Sequence, residues 1–220
     1  MKTLVVAGLA LALAGCGSRE PLYKGKPASY WQQALQDSDP HTRREAITAM
    51  GALKVTEAVP DLIKALKDKD AQARVRATEA LWSLGPEASK AVTALIPLLK
   101  DKNADIRLNA AGALGEIGPE ASAAIPHLQG ALDDRVPYVR AQAATSLGKI
   151  GSAPRTVVPA LTRALKDRVK EVRVAAIYAL AELGSEAQAA VPALKEAAAE
   201  KDGDVRTAVA YALKAVAAQK

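Results

Sequence analysis

From residue 28 onward the apolar positions recur at two spacings: three to four residues within a segment, and 33 residues from one segment to the next. Residues 171–184 (EVRVAAIYALAELG) carry the short spacing, with Val172, Ala176, Ala179, Leu180 and Leu183 on one helical face and Gly184 where a glycine ends a helix. Just before them, residues 158–167 (VPALTRALKD) place Leu161 and Leu165 four apart behind a proline suited to the first turn of a helix. Each unit therefore predicts two short helices, the earlier one starting near Val158 in this copy. Gly85-Pro86, Gly118-Pro119, Gly151-Ser152 and Gly184-Ser185 mark the turns between units.

The long spacing is written in whole columns. Arg74, Arg107, Arg140, Arg173 and Arg206 stand 33 apart, as do Leu81, Leu114, Leu147, Leu180 and Leu213. Pro60, Pro126, Pro159 and Pro192 lie on the same lattice, with Thr93 in the missing place. An acidic residue precedes each Arg by six: Asp68, Asp101, Asp134, Asp167 and Glu200. A first copy, offset by 31, adds Asp37, Arg43 and Met50. A two-helix unit of this size cannot bury its apolar face alone, whereas stacked neighbours bury it at about 1.5–3 kcal/mol per Leu, so the expected fold is an all-α solenoid.

The column chemistry names a family. Pro, then Asp eight residues later, then Val-Arg, then Ala-x-x-Ala-Leu-x-x-Ile/Leu-Gly resembles HEAT repeats, and more closely the short, lyase-type HEAT-like repeats. The ankyrin motif Thr-Pro-Leu-His and the tetratricopeptide pattern of Trp, Gly, Tyr and Phe are both missing. The resemblance implies an α-α superhelix of six units over residues 28–217, at approximately 28–53, 58–85, 91–118, 124–151, 157–184 and 190–217. It specifies a fold closely and a ligand hardly at all.

Ahead of the repeats, Met1-Lys2-Thr3 leads into an apolar run from Leu4 to Ala14, followed by Gly15-Cys16. About 18–20 apolar residues are needed to span a bilayer, so this run reads as an export signal. Leu13-Ala14-Gly15-Cys16 resembles the lipobox of bacterial lipoproteins, which implies removal of residues 1–15 and a diacylglycerol on Cys16. Two or three acyl chains anchor stably where one does not. The alternative is a conventional signal cut nearby, leaving Cys16 a free thiol in an oxidising compartment. Gly17 in place of Asp resembles lipoproteins sent on to the outer membrane in hosts with two membranes. Residues 16–27, with two Pro and mixed charge, are expected to be a tether.

The ladder of Asp37, Arg43, Asp68, Arg74, Asp101, Arg107, Asp134, Arg140, Asp167, Arg173, Glu200 and Arg206 reads as structural: a residue repeated in every unit serves what every unit shares. Asp is expected to cap helices, and Arg to bridge units by a bidentate grip. Partner binding belongs to positions that vary. Two, five and nine residues after each Arg, on the face opposite the Leu column, lie Arg76, Glu79, Asn109, Gln142, Thr145, Tyr178 and Tyr211, with Trp82 just beside them. That face usually lines the concave groove of a solenoid, and a plain solvated helix face is the competing reading. Aromatics among them favour a protein or peptide partner.

Composition agrees and removes other classes. Half the chain is hydrophobic, yet Phe is absent, aromatics are 3% and 49 residues are Ala, which suits helices and not sheets. One Cys excludes a disulfide scaffold or Cys-cluster metal site, and the two His, His41 and His127, have no metal-binding spacing. No Gly-x-Ser-x-Gly elbow or phosphate loop occurs. HEAT-like relatives that hold iron use His and Glu ligands that have no counterpart here, and those that attach bilins act on cytoplasmic partners, which export opposes. The net charge of +6 is small beside 30 basic and 24 acidic residues, and the candidate face is no basic stripe, so nucleic acid is not the expected partner. The expectation is a lipid-anchored interaction scaffold, neither an enzyme nor a metalloprotein, with an assembly factor or an accessory subunit of an enzyme complex as alternatives.

Overall fold

Alternating first and second helices, joined by 3₁₀ turns and loops, make up most of residues 20–218, which the computed structural model describes; Cys16, the leader and the start of the tether lie outside them. The first helices are α1 (Ala28–Ala34), α3 (Val59–Ala65), α5 (Val92–Leu95), α7 (Ile125–Ala131), α9 (Pro154–Ala164) and α11 (Val191–Ala197). The second helices are α2 (Pro40–Ala52), α4 (Ala71–Leu84), α6 (Ala104–Ile117), α8 (Pro137–Ile150), α10 (Lys170–Glu182) and α12 (Gly203–Ala217). Each first helix packs on its own second helix, and the second helices pack in series from α2 to α12. The result is the expected all-α solenoid.

Its core is the Leu column together with small residues. Leu81, Leu114, Leu147 and Leu180 are fully buried, whereas Leu213 in the last described unit is only half-buried. Gly85, Gly118, Gly151 and Gly184 all take positive φ, between 55° and 79°, where the chain leaves a second helix. After three of them a 3₁₀ turn (Gly85–Ala91, Gly118–Ala124, Gly184–Ala190) leads to the next first helix. In the fifth unit α9 starts at Pro154 and not near Val158, because Pro154 occupies the first turn; Pro159 then falls inside the helix, where it forgoes one backbone bond.

Residues expected in the tether form structure instead. Leu22–Tyr23 and Lys26–Pro27 pair as an antiparallel hairpin, β1 and β2, through a two-residue turn in which Lys24 and Gly25 both have positive φ. Trp31 of α1 is buried beneath it, donating its indole N–H to the Tyr23 carbonyl at 3.0 Å and meeting the Tyr23 ring edge-on. Buried aromatic area and this hydrogen bond hold the hairpin against the first unit.

Candidate interaction face

The Arg and Asp columns are built from both sides of each junction. Arg43 grips Asp68 with Nε at 2.8 Å and Nη2 at 2.9 Å; Arg107 holds Asp134 at 2.6 and 2.8 Å, Arg140 holds Asp167 at 2.7 and 2.8 Å, and Arg173 holds Glu200 at 3.0 and 2.7 Å. The third nitrogen of each Arg, Nη1, donates to the carbonyl of the acidic residue six before it, in all six units. One guanidinium thus staples its own loop and the next unit. The Arg43 grip holds the Asp68 carboxyl below the usual range despite partial burial, and Arg140 does the same for Asp167. Burial raises the Asp134 carboxyl, and the Arg107 hydrogen bond with the Val136 N–H more than offsets it.

Helix capping belongs to another residue than expected. Asp39, Asp70, Asn103 and Asp202 accept from first-turn N–H groups of α2, α4, α6 and α12, while the ladder acids Asp37, Asp68, Asp101, Asp134 and Asp167 accept from the N–H two residues on and so brace the loop. Two rungs also stay open among the described residues. Arg206, in the last described unit, is bonded to the Glu200 and Lys201 carbonyls. Arg74 is bonded to the Asp68 and Lys69 carbonyls, and no ion pair joins it to Asp101.

The open Arg74 rung coincides with other departures at the same junction. Eight residues after each ladder Arg stand Gly51, Trp82, Gly115, Gly148, Ala181 and Lys214. A Cβ on Gly51 would come within 2.8 Å of the Ala80 Cα, and one on Gly148 within 2.7 Å of the Ala179 Cα, so this column sets how closely second helices approach. Trp82 is its one bulky occupant inside the array. Its indole is accommodated because Gly112, on the facing helix, has no side chain: a Cβ there would lie 2.5–2.7 Å from three indole carbons. Beside this junction the first helix of the third unit is also altered, since Pro97, in place of a proline at 93, leaves Ile96–Lys100 as 3₁₀ helix. Trp82 between α4 and α6 and the shifted proline before Asp101 thus stand at the same junction as the unmade rung.

The residues expected to bind a partner fall into three groups. Arg76, Glu79, Trp82 and Asn109 gather at this second junction, where a groove of about 670 Å³ is lined by Glu79, Trp82, Pro86, Asn109, Glu116 and Lys54 among others. Arg76 and Glu79 pair at 2.8 Å. Asn109 is not exposed as the helical projection implied: it is buried between the second helices, its amide reaching the Thr78 hydroxyl of α4 at 3.4 Å. Gln142 and Thr145 are half-buried and bonded within α8, to the Ser146 hydroxyl and the Ala141 carbonyl. Tyr178 and Tyr211, from adjacent units, are 45% and 56% exposed with ring centroids 5.8 Å apart. Tyr178 edges a further groove of about 560 Å³ with Val174, Ala175, Lys170 and Asp204.

Sequence reasoning passed over Tyr138 and Tyr30, 47% and 42% exposed, which lie off the projected stripe, and Lys54, which enters the Trp82 groove through a left-handed backbone (φ 55°). Surface exposure of His41 and His127 agrees with the reading of both. Among the described residues no group of His, Cys, Asp and Glu has the geometry to hold a metal, and no helix is long and apolar enough to cross a membrane.

Known proteins match this architecture. No curated protein matches the chain. Among solved structures, the complex of CpcE and CpcF of phycocyanin lyase from Nostoc sp. PCC7120 superposes with a TM-score of 0.64 at 25% identity, covering 92% of this chain and 82% of that one. A designed armadillo repeat protein in complex with the peptide (KR)4 gives 0.72 at 20% identity over 87% and 100%. An engineered protein gives 0.69 at 24% identity over 86% and 96%. The last two, below 25% identity, speak to fold alone. HEAT repeats are matched at residues 28–92, 59–148 and 125–214, nearly the whole solenoid, and with helix pairs stacked in series over the same span, this chain belongs to the HEAT-repeat family.

Proposed function

We propose that the chain is an interaction scaffold of the bacterial cell envelope, anchored through lipid on Cys16 and docking a protein or peptide partner along its second-helix face. HEAT and armadillo folds are typical scaffolds for protein–protein interaction. The observation that carries the reading is the Tyr178–Tyr211 pair: two half-exposed rings from successive units, beside a groove, where plain solvated helices would carry charge. The fold neighbours are consistent with it, one being a two-protein lyase complex and another a peptide complex. In this reading the chain performs no chemistry and holds no cofactor beyond the acyl lipid. In a host with two membranes it sits on the periplasmic side of the outer membrane, following Gly17. The lyase neighbour favours one second reading, an accessory subunit of an enzyme complex.

The test places a photo-crosslinking amino acid at Tyr178 in the native, lipidated protein. A discrete adduct with one envelope protein, lost when Tyr211 becomes Ala in a folded variant, is the expected result; an enzyme in that adduct selects the second reading. A smear of many clients would point to an assembly factor, and no adduct at all would remove the face from contention. Anchoring is checked separately: Cys16→Ser should abolish acyl labelling and release the protein from membranes, and a variant that stays membrane-bound would refute the lipid.

A further inference from the structure

Repetition makes the second junction conspicuous, since Trp82, Gly112, Pro97 and the open Arg74 rung all break the pattern at one place. Regular packing explains the other junctions and leaves this one without a structural reason. What it creates is a groove with an aromatic floor. Gly112 supports one side of the indole, and Trp82 remains half-buried, open towards the groove. Glu79 sits one turn before Trp82 on α4, and Glu116 one turn beyond Gly112 on α6, so two carboxylates line the same groove as the ring. Lys54 is the cation that lines it with them.

The geometry points to a binding slot for an arginine side chain of a partner polypeptide, its guanidinium stacked on Trp82 between Glu79 and Glu116. This rests on the scaffold reading and supplies the partner's chemistry. A planar cation over an indole is attracted by the ring quadrupole, and the same guanidinium has donors for both carboxylates. Each carboxylate already has a surface partner, Arg76 for Glu79 and Lys149 for Glu116, but these pairs are exposed, with side-chain accessibilities between 39% and 47%. Such pairs contribute little and exchange readily, so an incoming guanidinium can share or replace them. Lysine fits less well: its ammonium has no plane to stack and no fork for two acids.

The experiment is an NMR titration of the ¹⁵N-labelled protein, following the Trp82 indole N–H, which Trp82→Phe distinguishes from that of Trp31. The probe is the capped pentapeptide Gly-Ser-Arg-Ser-Gly, with matched peptides carrying Gln or Lys in place of Arg. Saturable movement of the Trp82 resonance is expected with the Arg peptide in the millimolar range, and none with Gln. Glu79→Gln with Glu116→Gln should weaken binding at least fivefold while leaving the thermal midpoint near that of the parent. Gly112→Ala, which pushes the ring away without touching charge, should weaken it too. Equal shifts with the Arg and Gln peptides, no movement of Trp82, or indifference to loss of both carboxylates would each overturn the slot. If the slot fails while the Tyr178 adduct persists, the partner's chemistry is wrong and the scaffold stands; if the adduct fails while the titration succeeds, the slot stands and the Tyr178–Tyr211 face is not where a partner docks.

Discussion

The same substitution, Gly to Ala, should act with opposite sign at two positions of the array. Gly148 lies within α8, and an added Cβ would stand 2.7 Å from the Ala179 Cα, 2.9 Å from its Cβ and 3.1 Å from its carbonyl oxygen, all on the facing helix α10. Ordinary contact begins at 3.4 Å, so the two backbones must part by about 0.7 Å, and no side-chain rotation relieves a clash with backbone. Overpacking of this kind costs about 1–3 kcal/mol, offset by up to about 1 kcal/mol of gained helix propensity. The net expectation is a loss of about 1–2 kcal/mol. Gly130, near the end of α7, has nothing within 4 Å of the same Cβ, so Gly130→Ala should keep only the propensity gain of about 0.5–1 kcal/mol. Thermal unfolding followed by far-UV circular dichroism resolves both, since about 1 kcal/mol moves the midpoint by roughly 2–4 °C for a chain of this length. Hydrogen exchange adds location: in Gly148→Ala the loosened amides should lie in the fourth and fifth units, because each unit touches only its neighbours. A Gly148→Ala midpoint at or above that of the parent would refute the claim that this column sets the spacing of the helices.

Leu147 is fully buried and Tyr178 is 45% exposed, so Leu147→Ala should cost about 2–5 kcal/mol and Tyr178→Ala within about 0.5 kcal/mol; equal losses in urea unfolding would refute the assignment of faces. The ladder should show in pH dependence: the folded Asp167 carboxyl lies below its ordinary value near 3.8, so its contribution is complete above that pH and is lost as pH falls below it. Asp167→Asn should therefore lower the melting midpoint at neutral pH, by roughly 3 kcal/mol of stability for a buried Arg140 left without its acid, and flatten the fall below pH 4; an unchanged acid limb would refute it. Arg74→Ala should cost clearly less than Arg140→Ala, because Arg74 makes only its own-loop bonds and no carboxylate is stranded; matching losses in the same unfolding assay would show that the second junction is braced like the rest.

How far each feature could be foreseen follows its range along the chain. The Leu column, the turn glycines and the bridging of units by Arg were legible, since each repeats and each follows from helical period or from charge, while the open Arg74 rung was not. The cap was misassigned by two residues because Asp68 and Asp70 are equally suited by chemistry, and only loop geometry decides which faces the helix and which faces Arg43. Asn109 looked exposed because a helical projection knows one helix, while its amide is buried against Thr78 of α4, 31 residues earlier. The hairpin at Leu22–Pro27 was invisible for a similar reason: its two-residue strands carry no periodic signal, and Trp31 makes them worth forming.

For this protein, then, period and composition by themselves determined the kind of unit, the number of copies and the residues that join one copy to the next, because those properties are repeated in every unit and depend on contacts within it or to its immediate neighbour. The tertiary structure decided where the repetition fails. Distances between second helices are set by pairs of residues about 30 positions apart, and whether such a pair is glycine against backbone or tryptophan against glycine changes packing, burial and the opening of a groove together, a cooperative outcome that no single column of the sequence contains.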